Sequence, residues 1–332
     1  MAEFRRDPID GKWVIIAPER KRMLVEFKPE PYPSSERRCP FCPGNESLTP
    51  PELFAFRPPT TKPNQPGWRV RVIPNREPIL RTELELEKEG IGSYDRVSGI
   101  GAHEVIIETP EHNQTYSQLS EEHLKEIYLA WKERVLDLKN DARIKYVLIF
   151  KNYGLSAGAV MAHPHSQLIA LPISPKQIIE ELRGGEEYFR FKERCIFCDI
   201  VRQELETKER VVFENARFLL ICPWAPIFPF ELWAVPKEHL SVFEESDDEL
   251  LAELAQVIKF GMSQLEKTLG SFHFNLVLHN LPFYLSSSPG FHWHIEIMPR
   301  LTRVAGFEYG SGFYVNPVPP EESARWLRKG EK

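Results

Sequence analysis

The chain lacks the long apolar runs and the excess of positive charge that define two large functional classes. None of its apolar stretches approaches the roughly 20 residues that a membrane-spanning helix needs. Residues 1–7 lack the apolar core of a signal peptide. The net charge is −6, whereas sequence-independent binding to nucleic-acid phosphates requires a basic surface. We therefore expect a cytoplasmic protein that binds neither membranes nor nucleic acid.

Cysteine is scarce, with five residues in 332, but four of the five form the pairs Cys39/Cys42 and Cys195/Cys198. An isolated C-x-x-C is ambiguous between a redox dithiol and half of a metal site. A redox pair of the thioredoxin type opens a helix directly after a strand. In the first pair, each cysteine is instead followed by proline in a turn-rich segment. The first pair therefore favours a metal site.

The sequence contains an internal repeat, and each copy begins with one C-x-x-C pair. In each copy the pair is followed by an apolar stretch, a histidine, a long helical pattern, a second apolar run and an H-x-H segment. The histidines stand 51 residues apart in the first copy (112 to 163) and 53 apart in the second (239 to 292). From the second cysteine to the first histidine the spacing is 70 residues in the first copy (42 to 112) and 41 in the second (198 to 239), so the first copy carries an insertion of roughly 30 residues within 50–101. We predict two domains, residues 1–185 and 186–332.

Hydrophobic periodicity predicts one long helix in each copy. Apolar residues recur at three- and four-residue steps in two sets, Leu124, Ile127, Tyr128, Trp131, Val135 and Leu138, then Leu250, Leu254, Val257, Ile258 and Leu265. The spacing of Ser246 and Glu249 predicts a capping box at the start of the second helix. The short β-branched and aromatic runs around both helices are typical of strands.

Each copy supplies two cysteines and two histidines, the ligand set that structural zinc prefers. The predicted sets are, for the first copy, Cys39, Cys42, His112 and His163 and, for the second, Cys195, Cys198, His239 and His292. Four protein ligands leave no open coordination position, so we expect two closed, structural zinc centres. The alternative is four buried thiols with unrelated surface histidines.

Each H-x-H segment keeps one histidine that is not a predicted metal ligand. Residues two apart in a strand face the same side, so His163 and His165 should project together, as should His292 and His294. A glycine-bearing loop at 152–159 precedes His165 and could bring backbone N–H groups near a phosphate. An imidazole is a competent nucleophile toward phosphorus when its other nitrogen donates to a carbonyl. His165 is therefore the better candidate nucleophile.

These motifs resemble the galactose-1-phosphate uridylyltransferase branch of the histidine-triad superfamily over nearly the whole chain. The resemblance rests on the segments 8–20, 39–45, 72–75, 150–152, 163–167, 306–308 and 316–322. The histidine-triad pattern alternates three histidines, and this branch replaces the third with glutamine, as at Gln167 here. The resemblance implies an α+β fold with two fused histidine-triad repeats, which form one large antiparallel half-barrel sheet flanked by helices.

The same resemblance implies a ping-pong reaction in which His165 carries UMP from UDP-glucose, or UDP-galactose, to a hexose 1-phosphate. Gln167 would hydrogen-bond the phosphoryl oxygens. By motif position, four further residues would contact the nucleotide, phosphates or hexose: Arg20, Asn75, Asn152 and Glu308. Family members are usually dimers whose sites borrow residues from the neighbouring subunit.

Some positions depart from the family pattern and keep alternatives open. Val160 stands where many members have a phosphate-binding serine, for which Ser156 or Ser166 could compensate. The C-terminal segment 307–316 and the second complete Cys/His set resemble ADP-glucose phosphorylases, so an adenylyltransferase that uses His165 is the alternative. Some members hold iron in the second repeat with equivalents of His279, His292 and His294 plus a glutamate.

The remaining alternatives concern the overall function and the other histidines. A non-catalytic nucleotide sensor or zinc scaffold is a third possible function. For three further histidines we predict surface or core roles rather than chemistry, namely His103, His123 and His273.

Overall fold

A computed structural model of the chain describes residues 1–21 and 39–330. In that part of the chain it contains six α-helices: α1 (Glu121–Lys139), α2 (Lys176–Lys192), α3 (Ile196–Thr207), α4 (Asp248–Leu269), α5 (Gly306–Ser311) and α6 (Pro320–Lys329). The strands of the first half are β1 (Glu3–Arg6), β2 (Trp13–Ile16), β3 (Phe54–Phe56), β4 (Val70–Pro74), β5 (Lys88–Ile91), β6 (Tyr94–Val97), β7 (Ala102–Ile107), β8 (Tyr146–Tyr153) and β9 (His165–Leu171). The second half adds β10 (Val211–Glu214), β11 (Phe218–Ile221), β12 (Leu232–Pro236), β13 (Phe274–His279), β14 (His294–Pro299) and β15 (Tyr314–Asn316).

One ten-stranded sheet organises the molecule, in the order β10-β11-β12-β14-β13-β8-β9-β7-β4-β3. Every pairing in this sheet is antiparallel. The order reads the same from both edges when each strand is replaced by its counterpart in the other repeat. The repeats meet at the centre, where β8 pairs with β13. The predicted α+β fold with a large antiparallel sheet is therefore confirmed.

The insertion predicted in the first copy corresponds to a feature that the second copy lacks. Between the second cysteine and the first histidine of each copy, three strands of the main sheet are present: β3, β4 and β7, or β10, β11 and β12. The first copy adds the separate hairpin β5–β6, whose side chains are mostly exposed. The extra residues thus extend outward without interrupting the sheet.

The helices α1, α4 and α6 pack on one face of this sheet and form the main core with it. All the apolar residues predicted for the two helical stripes are buried there. The predicted capping box is wrong, because Asp247, not Ser246, is the N-cap of α4 and accepts a hydrogen bond from the Leu250 N–H. Ser246 instead ends the preceding 3-10 turn. Either side chain could cap a helix, so the sequence pattern placed the start one residue early.

The opposite face of the sheet is covered differently in the two halves. Over the second half, α3 packs its apolar side onto β11 and β12. The small sheet β1-β2-β15 contributes Ile9 to this cluster through the β1–β2 turn. Over the first half, α2 packs on the start of β8 and the end of β9, and a small group around Trp68 and Phe41 lies over β4 and β7. The first half therefore keeps an accessible sheet face.

The proposed division after residue 185 stays a prediction, and that residue lies within α2. Among the described residues no helix is long and apolar enough to cross a membrane.

Candidate active site and metal centres

His165 opens β9 on the accessible face, two residues after His163. Its Nδ1 lies 2.8 Å from the carbonyl oxygen of His163 and donates to it. This bond fixes the tautomer, so Nε2 keeps its lone pair. No residue of the described ranges hydrogen-bonds that Nε2. The geometry required of a nucleophilic imidazole is therefore present.

The surroundings of His165 keep its ring neutral. The side chain is buried against the ring of Phe41, with the ring centroids 5.5 Å apart. Burial lowers the pKa of His165, while the bond to the His163 carbonyl opposes this shift and Lys151 adds to it. Lys151 lies behind the strand, where its Nζ donates to the His165 carbonyl at 3.2 Å. A neutral imidazole is the form that can attack phosphorus.

His165 and Gln167 line a cavity of about 410 Å³ on the first-repeat face. The cavity extends over the neighbouring strands β7 and β4, where its lining includes Val105, Ile73 and Asn75. The segment around the Cys39/Cys42 pair, here called the first knuckle, and the glycine-bearing loop at 152–159 form its rim. The further lining residues are Pro40, Phe41, Leu48, Thr49, Pro50, Pro74, Arg76, Glu77, Gly158, Val160 and Met161. An apolar cavity with few polar groups beside a reactive side chain is the usual form of a small-molecule site.

The amide of Gln167 is oriented by His103, for which sequence reasoning predicted no chemical role. The His103 Nε2 lies 2.8 Å from the Gln167 Oε1 and donates to it. Its Nδ1 then accepts from the Ile79 N–H at 3.4 Å. Asn75 Nδ2 lies 3.1 Å from the same Nε2 but makes no hydrogen bond to it, because both nitrogens are donors in this arrangement. With its oxygen held by His103, Gln167 turns its amide N–H groups toward the cavity.

Asn152 lies on β8, next to the strand of the nucleophile. Phe150 pairs with Gln167, and continuing that register by two residues places Asn152 opposite His165 on the same face. Its Oδ1 accepts a hydrogen bond from Asn275 at 2.7 Å. Asn152 therefore lies where contact with a transferred phosphate is possible.

The loop that follows Asn152 is a compact turn built around Gly154. This residue has φ +90°, and a Cβ there would lie 1.9 Å from the ring of His273. Ser156 Oγ lies 2.7 Å from His273 Nδ1, so this serine helps to hold the loop. Ser166 cannot replace the family serine, because it points to the opposite face and accepts from the Trp131 indole N–H. Val160 is 88% exposed.

Two of the predicted substrate-binding residues lie outside the cavity that contains His165. Arg20 is exposed at the end of a 3-10 turn after β2. Glu308 lies in α5, where its carboxylate accepts the Ala305 N–H at 2.9 Å and caps its own helix. Neither residue lines the cavity that contains His165. Their predicted roles stay predictions.

The first predicted ligand set converges on one point. The ligand atoms of Cys39, Cys42, His112 and His163 all lie within 4.8 Å of one another. The Cys42 Sγ is 3.3 Å from His112 Nδ1 and 3.6 Å from His163 Nδ1. Zinc bonds of about 2.0–2.3 Å at tetrahedral angles separate ligand atoms by about 3.3–3.8 Å, so this spacing fits an ion.

The protonation states around this centre also fit a metal ion. The Nε2 of His163 donates to the Thr109 carbonyl at 2.7 Å, which leaves Nδ1 as a ligand atom. Burial lowers the pKa of His163 to about 4, so its ring is neutral. Burial raises the pKa of Cys42 to about 11, so forming its thiolate requires a compensating cation.

The second predicted set converges in the same way. Cys195, Cys198, His239 and His292 bring their ligand atoms within 4.8 Å of one another. His239 Nδ1 and His292 Nε2 are 2.9 Å apart, and the Cys198 Sγ is 3.4 Å from His292 Nε2. His239 is held from outside by its Nε2, which bonds the Ser288 carbonyl at 3.0 Å. Both Cys/His groups can therefore bind a metal ion, and their donor sets are consistent with zinc.

A third group of possible ligands lies beside the second centre and consists of Glu181, His279 and His294. The sequence identified the two histidines as possible ligands, but it gave no signal for Glu181, which lies on α2. His279 Nδ1 is 2.9 Å from Glu181 Oε1, and its Nε2 is 3.4 Å from Glu296 Oε2. These carboxylates raise the pKa of His279 well above its usual value, although burial opposes them. The ring of His279 thus lies between two carboxylates.

Comparisons with known proteins identify the family of this chain. A family model described as the N-terminal domain of galactose-1-phosphate uridyl transferase matches residues 1–175. The model of the C-terminal domain matches residues 181–329. The chain belongs to the galactose-1-phosphate uridyl transferase family. It is therefore an enzyme of the nucleotidyltransferase type.

Individual relatives carry two different activities in their names. The chain is 37% identical to an ADP-glucose phosphorylase of Arabidopsis thaliana, over 98% of this chain and 92% of the relative. It is 29% identical to a galactose-1-phosphate uridylyltransferase of Thermotoga maritima, over 100% of this chain and 99% of the relative. The family is thus shown, and the substrate is not fixed by these identities.

The solved structures that this fold matches are likewise named for these two activities. The fold matches an Arabidopsis thaliana ADP-glucose phosphorylase with bound ADP-glucose at a TM-score of 0.84 and 34% identity, covering 99% of each chain. It matches a uridylyltransferase at a TM-score of 0.77 and 28% identity, covering 99% of this chain and 98% of the other.

Proposed function

We propose that this chain is a galactose-1-phosphate uridylyltransferase that moves UMP from UDP-glucose to galactose 1-phosphate through a covalent uridylyl-His165. The observation that supports this proposal most is the position of His165, whose Nδ1 pairs with the His163 carbonyl at 2.8 Å, in the lining of an accessible cavity. That bond leaves Nε2 as an unprotonated nucleophile at a cavity of about 410 Å³.

In the first half-reaction the Nε2 lone pair attacks the α-phosphorus of UDP-glucose. An N–P bond forms, and the bond from the α-phosphorus to the bridging oxygen breaks. That oxygen leaves on the phosphate of glucose 1-phosphate with the electron pair. The positive charge that develops on the ring is stabilised by the carbonyl acceptor at Nδ1.

In the second half-reaction a phosphate oxygen of galactose 1-phosphate attacks the same phosphorus from the side that glucose 1-phosphate left. The N–P bond breaks, its electron pair returns to Nε2, and UDP-galactose is released. Gln167 donates amide N–H groups to the phosphoryl oxygens in both steps. Because a neutral amide neither accepts a proton from water nor donates one to a leaving group, Gln167 does not promote hydrolysis of the adduct.

The two Cys/His centres take structural roles in this proposal. Each zinc ion would be held by four protein ligands and would tie a C-x-x-C knuckle to the sheet. The first knuckle carries Phe41, whose ring lies against His165. The centre therefore positions a wall of the cavity and takes no part in the chemical steps.

The remaining substrate contacts belong to Asn75, Asn152, Arg20 and Glu308. Asn75 lines the cavity, and Asn152 lies opposite His165. Arg20 and Glu308 would act across a homodimer, at the site of the neighbouring subunit. Sedimentation of the purified protein at several concentrations tests this part of the proposal, which requires a dimer at working concentrations.

A second function is supported by the 37% identity to an ADP-glucose phosphorylase. In that case His165 would carry AMP from ADP-glucose, and inorganic phosphate would be the acceptor. Incubation with UDP-glucose plus galactose 1-phosphate, or with ADP-glucose plus phosphate, decides between them. Formation of UDP-galactose supports the first function, and release of ADP supports the second. Exchange in neither mixture would contradict both.

A further inference from the structure

A row of polar side chains continues across the sheet from His165, away from the cavity. In the strand order β4-β7-β9-β8-β13-β14, the cavity lies over the first two strands and the nucleophile lies on β9. On the other side of the nucleophile come Asn152 on β8 and Asn275, which pairs with it on β13. Arg300 follows directly after β14. Side-chain alternation puts all four residues on the same face.

Arg300 is held in one orientation by three contacts. Its Nε donates to the Oδ1 of Asn275, and its backbone N–H donates to the His273 carbonyl at 2.7 Å. Its guanidinium stacks on the ring of Phe228, 4.2 Å from the centroid. Asn275 in turn donates to Asn152 Oδ1 at 2.7 Å. The guanidinium is therefore coupled through one asparagine to a residue that lies opposite the nucleophile.

The charge of Arg300 is not matched by a carboxylate. Within residues 1–21 and 39–330, Arg300 forms no ion pair, although its side chain is half-buried. Glu231 lies near enough to influence it, but burial raises the pKa of Glu231 to about 8, so this carboxyl is mostly neutral at pH 7. Burial also lowers the pKa of Arg300. A partly desolvated cation without a counter-ion is unfavourable unless a ligand supplies the anion.

The position of Arg300 fits one end of a nucleotide sugar. With the nucleoside in the cavity and the α-phosphorus at His165, the leaving group must extend toward β8 and β13. Strands are about 4.8 Å apart, so Asn275 lies about 10 Å from the His165 strand position. The Arg300 side chain reaches back to Asn275 and presents its terminal N–H groups in that region. A planar guanidinium is the side chain best suited to bind a phosphate with two hydrogen bonds.

We propose that Arg300, oriented by Asn275, binds the phosphate group of the leaving and accepting substrate. This inference rests on the proposed function and assigns the acceptor side of the same site. The ligand is a phosphate group, carried either by a hexose 1-phosphate or by inorganic phosphate. The second repeat, which has no nucleophile of its own in this proposal, would thus supply the acceptor contact.

The test separates the two half-reactions. The full chain is loaded with its nucleotide, freed of small molecules, and discharged with increasing galactose 1-phosphate or inorganic phosphate while intact mass reports the adduct. Three variants are compared with the unaltered chain: Arg300→Met, Arg300→Lys and Arg303→Met. Arg303 is exposed three residues further on and serves as the matched control.

We expect Arg300→Met to raise the half-saturating acceptor concentration about tenfold or more. Slow discharge of the adduct by water should be unchanged. Arg300→Lys keeps the charge without the planar fork and should give an intermediate value, and Arg303→Met should match the unaltered chain. The acceptor that shows the shift identifies the source of the phosphate. An unchanged half-saturating concentration in a folded Arg300→Met or Arg300→Lys variant would overturn the assignment.

Calorimetric titration of galactose 1-phosphate and of inorganic phosphate into the same proteins distinguishes the two levels of the proposal. If no adduct forms in the unaltered chain but Arg300→Met weakens phosphate binding, the proposed function fails and the Arg300 site stands. Equal affinity of all variants for both ligands would remove the site whatever the reaction is. Thermal unfolding of each variant identifies losses that come from folding.

Discussion

The two repeats place the same backbone framework around two different chemical environments. His165 and His294 open equivalent strands, and each turns Nδ1 to the carbonyl two residues earlier, at 2.8 Å and 3.1 Å. Each also lies against the phenylalanine of its own C-x-x-C knuckle, Phe41 or Phe197. Both histidines therefore have the tautomer of a nucleophile, and that feature alone does not distinguish them.

The difference lies in the neighbouring side chains and in the cover above them. By strand register, Gln167 corresponds to Glu296 and His103 corresponds to Glu231. The second-repeat positions thus carry acids, and α3 packs over that half of the face. The first repeat has neutral hydrogen-bonding groups around an open cavity. A duplicated framework can hold an anionic substrate in one half and a covered cluster of acidic and histidine side chains in the other.

The largest expected effect comes from replacing the nucleophile, which tests the difference between the two repeats. His165→Gly should abolish nucleotide transfer, with a loss on the order of 10⁴-fold or more, because no other group replaces the attacking nitrogen. The matched substitution His294→Gly should retain adduct formation. Turnover of both variants with each nucleotide sugar checks this prediction. Activity that survives in His165→Gly, or vanishes only in a well-folded His294→Gly, would reverse the assignment.

The second prediction concerns the metal centres. Cys42→Ser and Cys198→Ser should each remove one bound metal ion and lower the free energy of unfolding by about 3–5 kcal/mol. Cys42→Ser should also impair adduct formation, because the knuckle positions Phe41 against His165. Metal content by mass spectrometry, together with thermal unfolding, gives the readout, and Cys222→Ser is the control outside both centres. Two equivalents of metal in both variants would contradict the ligand assignment.

The third prediction concerns the residue that orients Gln167. His103→Phe removes the donor to Gln167 Oε1 and should slow adduct formation about tenfold, the usual value of one hydrogen bond. If His103 acts through Gln167, the double variant His103→Phe/Gln167→Ala should be no slower than Gln167→Ala alone. Single-turnover rates of the four proteins complete the cycle. Additive losses would mean that His103 acts independently of the amide.

The smallest effect concerns Glu231, the second-repeat counterpart of His103. Burial and the nearby Glu296 raise its pKa to about 8, while Lys12 opposes them, and Arg300 also lies near it. The folded state therefore binds a proton more tightly than the unfolded chain, and stability falls as pH rises from about 4.5 to about 8. Glu231→Gln removes this contribution.

Between pH 6 and pH 7 the unaltered chain should lose about 1 kcal/mol more stability than the Glu231→Gln variant. Denaturant unfolding at the two pH values measures the difference. Glu249→Gln, at an exposed site in the first turn of α4, is the control and should leave the pH slope unchanged. Equal slopes in all three proteins would mean that Glu231 is ionised in the folded state.

The internal repeat made much of this structure predictable from the sequence. Cysteines and histidines recur in a fixed order, so the two Cys/His sets could be predicted before any fold was known. The choice of His165 over His294, which rested on the glycine-bearing loop before His165, stays a prediction. The helical stripes were also predictable, because their apolar spacing follows the helix period. The capping position was missed by one residue, since Ser246 and Asp247 both suit an N-cap.

Residues that strand pairing or helix packing brings to the site had no local signal. His103 is an isolated histidine in the sequence and reaches Gln167 only because β7 pairs with β9. Glu181 is one of several acidic residues in α2 and is distinguished only by its contact with His279. Asn275 and Arg300 become a pair only after β13 and β14 align. Such contacts are tertiary and leave no periodicity to detect.

The central claim is that His165 alone carries the nucleotide, and peptide mapping of the adduct tests it most directly. The protein is incubated with UDP-glucose or ADP-glucose, its intact mass is measured, and the modified peptide is located under alkaline conditions that preserve a phosphoramidate. We predict the mass gain of one nucleoside monophosphate, labile to acid and confined to the peptide that contains His165. A nucleotide on the peptide that contains His294, or no adduct with either sugar, would contradict the account.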